Sequence, residues 1–121
     1  MTVTVRISKS FTVAVKPLLK KYPSLSKDLQ NLEKALLLNP REGTPLGHGA
    51  YKIRLKIASK GKGKSGGARV ISLLESTIIG EVQIKDAMVI VNLITIYDKA
   101  DTGSISDKEL KDLIKDFHLN S

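Results

Sequence analysis

The hydrophobic period of this chain switches three times between two residues and 3.6 residues, and that succession limits the folds open to it. In residues 2–7, Val3, Val5 and Ile7 alternate with Thr2, Thr4 and Arg6, which predicts a strand with one buried face. Ser8 or Ser10 can cap a helix running toward Tyr22, and Pro17 inside it predicts a kink or a late start. Ser24 or Ser26 opens a second helix. Leu25, Leu29, Leu32 and Leu36 fall on one face of it, and Asn39-Pro40 stops it. The period then returns to two. Tyr51, Ile53, Leu55 and Ile57 point one way, and Lys52, Arg54 and Lys56 point the other. Residues 68–75 and 87–97 predict two further strands, the last apolar on both faces as a central strand is. Ser106 and Glu109 have capping-box spacing and open a final helix, with Leu110, Leu113, Ile114 and Phe117 on its apolar side.

The segments between read as loops: 43–49 with three glycines and Pro45, a flexible linker at 59–67, a turn at 77–86 and a loop at 98–104. The expected order is strand, two helices, three strands, helix. That is an α+β fold with a helical hairpin packed on a mainly antiparallel sheet, one domain over residues 1–121. With no cysteine, disulfide scaffolds and thiolate metal sites are excluded. The first residues carry no apolar leader block, and the longest apolar run, 87–97, is about half of the roughly 20 residues a membrane helix needs. A cytoplasmic protein without a membrane partner is the expectation.

Charge narrows the function. The net charge is +8, and residues 48–70 contain seven basic groups and no acidic one. Such a density repels itself, and a polyanion relieves it. On the predicted strand, Lys52, Arg54 and Lys56 stand about 6.5–7 Å apart along one face. Arg69, on the next strand of a hairpin, can reach the same surface. Lys60, Lys62 and Lys64 form a glycine-rich cationic arm suited to a nucleic-acid backbone. The alternative for these charges is a solvated face with lysines protecting a strand edge.

Two motifs are decoys. Gly63-Lys64-Ser65 imitates the end of a phosphate-binding loop, but Ala58 replaces the required first glycine and a strand pattern follows where a helix is needed. Residues 98–109 have the length of a calcium loop, with Gly103 and Glu109 in place, but Ala100 and Thr102 stand where oxygen ligands belong. No metal or other cofactor is expected. His48, in the glycine loop before the basic strand, is a candidate acid or base for a bound phosphate, whereas His118 reads as surface.

The segments Leu46-Gly47-His48-Gly49-Ala50-Tyr51-Lys52-Ile53-Arg54-Leu55, Gly61-Lys62-Gly63-Lys64-Ser65-Gly66-Gly67-Ala68-Arg69-Val70-Ile71 and Ile96-Tyr97-Asp98-Lys99 together resemble the RelE/HigB group of bacterial toxins. Tyr22-Pro23-Ser24-Leu25, the leucine helix and Asn39-Pro40 fit the same group. The resemblance covers nearly the whole chain and implies a RelE-like fold. It also implies an endoribonuclease that cuts messenger RNA on the ribosome, an antitoxin as protein partner, and metal-independent attack by the ribose 2′-hydroxyl. Carried over residue by residue, it places Lys52, Arg54, Arg69 and Lys99 in the catalytic site.

The sequence departs from the group at two points. Ile105 stands where some members have a catalytic tyrosine, leaving Tyr97 as the nearby phenol. Arg54 stands where a lysine base can sit, and arginine is too weak an acid to serve as a base, so Lys52 or Lys56 takes that role. Arg69 is expected to face the groove and contribute little to the core, or else to pair with Asp98 or Asp101. A basic nucleic-acid-binding module without catalysis, or a toxin relic that only binds its antitoxin, is the competing reading.

Overall fold

The computed structural model describes residues 2–61, 66–78, 87–101 and 103–120. Its order is β1 (Thr2–Ile7), α1 (Lys9–Lys21), α2 (Leu25–Leu38), β2 (Thr44–Gly47), β3 (Ala50–Leu55), a 3₁₀ turn (Ala58–Lys60), β4 (Ala68–Ile78), β5 (Ala87–Asp98) and α3 (Asp107–Asn120). The strands form one sheet in the order β1-β5-β4-β3-β2. β1 runs parallel to β5 and the other pairings are antiparallel. The fold is α+β with a mainly antiparallel sheet.

The helical hairpin forms where the leucine spacing places it. Ser8 caps α1, its side chain accepting from the Phe11 amide at 3.1 Å. Pro17 neither delays nor ends α1, which runs through it. Both Pro17 and Val13, whose carbonyl loses its i+4 donor, are exposed, so water can take the place of the missing amide. Phe11, Val15, Leu18, Leu25, Leu32 and Leu36 pack on one sheet face against Ile53, Leu55, Val70, Val91 and Leu93. The capping box of α3 is closed in both directions: the Glu109 amide donates to Ser106 Oγ at 3.1 Å and the Ser106 amide to Glu109 Oε1 at 3.3 Å. Leu110 and Phe117 then cover Ala50, Ile71, Leu73 and Ile94 on the opposite sheet face. β5 is thus buried on both sides, as its apolar run predicts. Among the described residues no helix is long and apolar enough to cross a membrane.

Three expected loops are corrected; in the turn expected at 77–86, Thr77 and Ile78 belong to β4. Within 43–49, Thr44–Gly47 is an edge strand, so four strands follow the helices instead of three. The glycines mark a tight hairpin, with Gly47, His48 and Gly49 all at positive φ (87°, 56° and 79°). Within 59–67, Ser59 and Lys60 belong to a 3₁₀ turn pinned to the start of α2. The Ser59 amide donates to Ser24 Oγ at 2.9 Å and the Ala58 amide to Asp28 Oδ2 at 3.2 Å. Residues 62–65 of that expected linker, and residues 79–86 of the expected turn, lie outside the described residues.

Candidate nucleic-acid interface

Strand alternation sends the odd residues of β3 toward α1 and α2 and the even ones toward the face that α3 covers in part. Register then assembles the site. Arg54 lies opposite Arg69 on β4, and Arg69 opposite Tyr97 on β5. One pleat away, Lys52 lies opposite Ile71, and Ile71 opposite Thr95. Side chains directly opposite one another start about 4.5–5.5 Å apart. Two guanidinium groups and a phenol therefore form a row across three hydrogen-bonded strands, with Lys52 beside it. Arg54 and Lys56 are exposed, and Lys52 is half-buried.

Arg69 differs from expectation. It is only 5% exposed, and its Nη1 donates to the Ala68 carbonyl at 3.1 Å. A central strand flanked by β3 and β5 encloses the side chain, so it is part of the packing as well as of the charge. Next to it, the Tyr97 phenol is pushed up from its ordinary pKa. Burial is the largest cause and Glu109 adds to it, while the Arg69 charge and the Ile105 backbone pull the other way. The hydroxyl is buried without a hydrogen-bond partner of normal geometry.

A second cluster secures the end of this row from the opposite face. Asp98, at the end of β5, is 3% exposed. Its carboxylate accepts from Lys60 Nζ at 2.6 Å, from the Tyr22 hydroxyl and from the Ala100 amide at 2.9 Å, with Lys21 Nζ at 3.8 Å. Lys60 also donates to the Gly66 carbonyl at 2.8 Å and lies 5.2 Å from the Tyr22 ring centre. It is therefore not a free cation of an arm, as its sequence setting predicts, but the counterion that joins the 3₁₀ turn, the start of β4 and the end of β5. Tyr22 and Ser24 read from the sequence only as helix boundaries, and Asp28 not at all; their tertiary roles have no local sign. Beyond the Ser24–Asp28 hydrogen bond at 2.7 Å, their partners lie 30 to 76 residues away, so no local spacing signals them. Gly67 is equally structural: a Cβ there would stand 2.0 Å from the Leu55 carbonyl oxygen, closing off the β3–β4 approach.

The remaining candidates separate. His48 is exposed in the β2–β3 turn, six residues from Arg54, on the order of 20 Å along the strand. The structure does not bring it to the row. Lys99 is half-buried just beyond β5, its Nζ donating to the Gly103 carbonyl at 2.9 Å. Lys62 and Lys64 lie outside the described residues. Among the described residues no group of three His, Asp or Glu side chains could hold a metal ion. No protein-family model and no curated protein matches the chain.

The Asp98 cluster makes stability depend on pH. Burial raises the carboxyl's pKa, but the Lys60, Tyr22 and Ala100 donors outweigh it and hold the group at about 2, against an ordinary 3.8. The folded protein thus binds fewer protons than the unfolded one between those values. The contribution, about 2 kcal/mol, is complete above about pH 5 and is lost as pH falls toward 2. Urea melts from pH 6 to pH 2 should show this loss in the parent, and Asp98→Asn should lack that part of the acid dependence.

Proposed function

We propose that this chain is the toxin of a toxin–antitoxin pair, a ribosome-dependent endoribonuclease that cleaves messenger RNA without a metal. The observation that carries the reading is the row of Arg54, Arg69 and Tyr97 across three strands, with Lys52 beside it on the same face. Positive groups held on a sheet are placed before the substrate arrives, so little reorganisation is needed as charge develops. In the proposed reaction the ribose 2′-oxygen bonds to the adjacent phosphorus and the 5′-oxygen leaves, giving a 2′,3′-cyclic phosphate. Lys52 accepts the 2′-hydroxyl proton. Arg54 holds the negative charge of the pentavalent intermediate, with Arg69 behind it. Lys56, further along on the same side of the chain, returns a proton to the 5′-oxygen. Lys99 borders the site, and the Tyr97 ring forms its wall.

Burial of Arg69 favours a second reading, a basic module that binds RNA without cutting it, because a guanidinium bonded within its own strand is less available to a phosphate. Inducible expression, alone and beside the neighbouring open reading frame, separates the two. Growth arrest with fragments ending in cyclic phosphate, relieved by the neighbour, is the expected result. Normal growth with intact messenger RNA would refute the nuclease, and RNA binding without fragments would establish the module.

A further inference from the structure

A groove of about 470 Å³ opens between β5 and α3 beside the cationic row, and we infer that it is a base-reading pocket selective for guanine. The inference rests on the RNA-cleaving function proposed above. Thr95 and Tyr97 supply one side of the groove, and Ile105 and Leu113 give it an apolar lining. Glu109, Asp112 and Asp116 recur at three- and four-residue spacing along α3 and stand on its rim. Its volume is in the range of small-ligand pockets. Tyr97 belongs to both the groove and the row, so a nucleotide whose phosphate lies on Arg54 has its neighbouring base within reach of the groove.

The charge pattern divides the work between the two surfaces. Carboxylates along the rim repel a phosphodiester, which leaves the groove to an uncharged, flat group. Two of the three acids are occupied: Glu109 accepts from the Ser106 amide at 3.3 Å, and Asp116 accepts from Asn120 Nδ2 at 3.0 Å. Asp112 makes no hydrogen bond or ion pair among the described residues. An ionised carboxylate only accepts hydrogen bonds, and it accepts two at once from adjacent donors. Guanine presents two such donors side by side, N1–H and the N2 amino group. The Watson–Crick edges of adenine, cytosine and uracil each set an acceptor next to the donor, which a carboxylate repels.

The test uses the full chain and four short RNAs of one sequence, carrying G, inosine, A or U at a single position, titrated by fluorescence anisotropy. The G form should bind roughly tenfold more tightly than the inosine form, which lacks the N2 amino group. Asp112→Asn should bring that ratio close to one while leaving the salt dependence of binding unchanged, because the phosphate contacts lie elsewhere. Asp112 is exposed, so the variant keeps the fold. Equal affinity for all four RNAs, still sensitive to Arg54→Ala, would overturn the guanine pocket and leave the phosphate-binding row intact. A G preference that survives Asp112→Asn would also overturn it. No RNA binding and no growth arrest would overturn the function together with the pocket.

Discussion

Arg54→Ala is expected to abolish growth arrest and to slow single-turnover cleavage on saturating ribosomes by on the order of 10²–10³, the usual scale for removing one preorganised charge stabiliser. Arg54 is the exposed member of the row, on β3 opposite Arg69, so its loss leaves no cavity and the melting temperature should stay close to the parent. Arg54→Lys should recover activity only in part, because a point charge cannot copy the two-pronged grip of a guanidinium on phosphate. Arg69→Ala is the weaker experiment. With Arg69 only 5% exposed, that variant loses packing as well as charge, and arrest and stability fall together. If Arg54→Ala cleaves at the parental rate while melting normally, the row is not the catalytic surface.

Asp98→Ala should cost about 3–5 kcal/mol at pH 7, the range for removing one partner of a buried ion pair. The Lys60 side chain is 11% exposed and the Asp98 side chain 1%. Without the carboxylate, the Lys60 ammonium keeps only the carbonyls of Gly66 and Gly67 and the face of the Tyr22 ring. Adding Lys60→Met should restore part of the loss, since it removes the stranded charge. Urea denaturation of the two single variants and the double variant measures the coupling. A loss below about 1 kcal/mol for Asp98→Ala would mean that the pair contributes no more than a surface salt bridge. Cleavage by Asp98→Ala, read well below its melting temperature, should fall too, because Asp98 follows Tyr97 and its partners hold the ends of β4 and β5 in register.

Local pattern was enough for the elements that bury one face. Val3 and Val5 specify β1 and pack on the core, although Ile7 at its end is 61% exposed, the leucines at 25, 29, 32 and 36 specify α2, and Ser106 with Glu109 starts α3. Period and capping chemistry are properties of neighbouring residues, so they can be read without knowing the fold. The alternation of Lys52, Arg54 and Lys56 against Ile53, Leu55 and Ile57 likewise predicts the basic face, with Ile53, Leu55 and Ile57 all in the core. Glycine was ambiguous. It marked a loop at 43–49 where the chain makes a hairpin, and a flexible linker at 59–67 within which Gly67 serves close backbone approach, because freedom of φ and absence of Cβ suit either purpose.

Register and burial were decided only by the tertiary structure. That Arg54, Arg69 and Tyr97 share a row, and that His48 stands at the far end of the same strand, depends on strand pairings between positions 15 and 28 residues apart. Lys60 and Arg69 read as two more cations of a basic stretch. Folding gives them different fates because a charge taken out of water must find its partner wherever the chain brings one. For Lys60 that partner is Asp98, 38 residues away, and for Arg69 it includes the carbonyl next to it on a central strand. Composition placed positive charge in one stretch of the chain. Which of those charges face an anion and which hold the sheet together is a matter of three-dimensional burial, which no local pattern encodes.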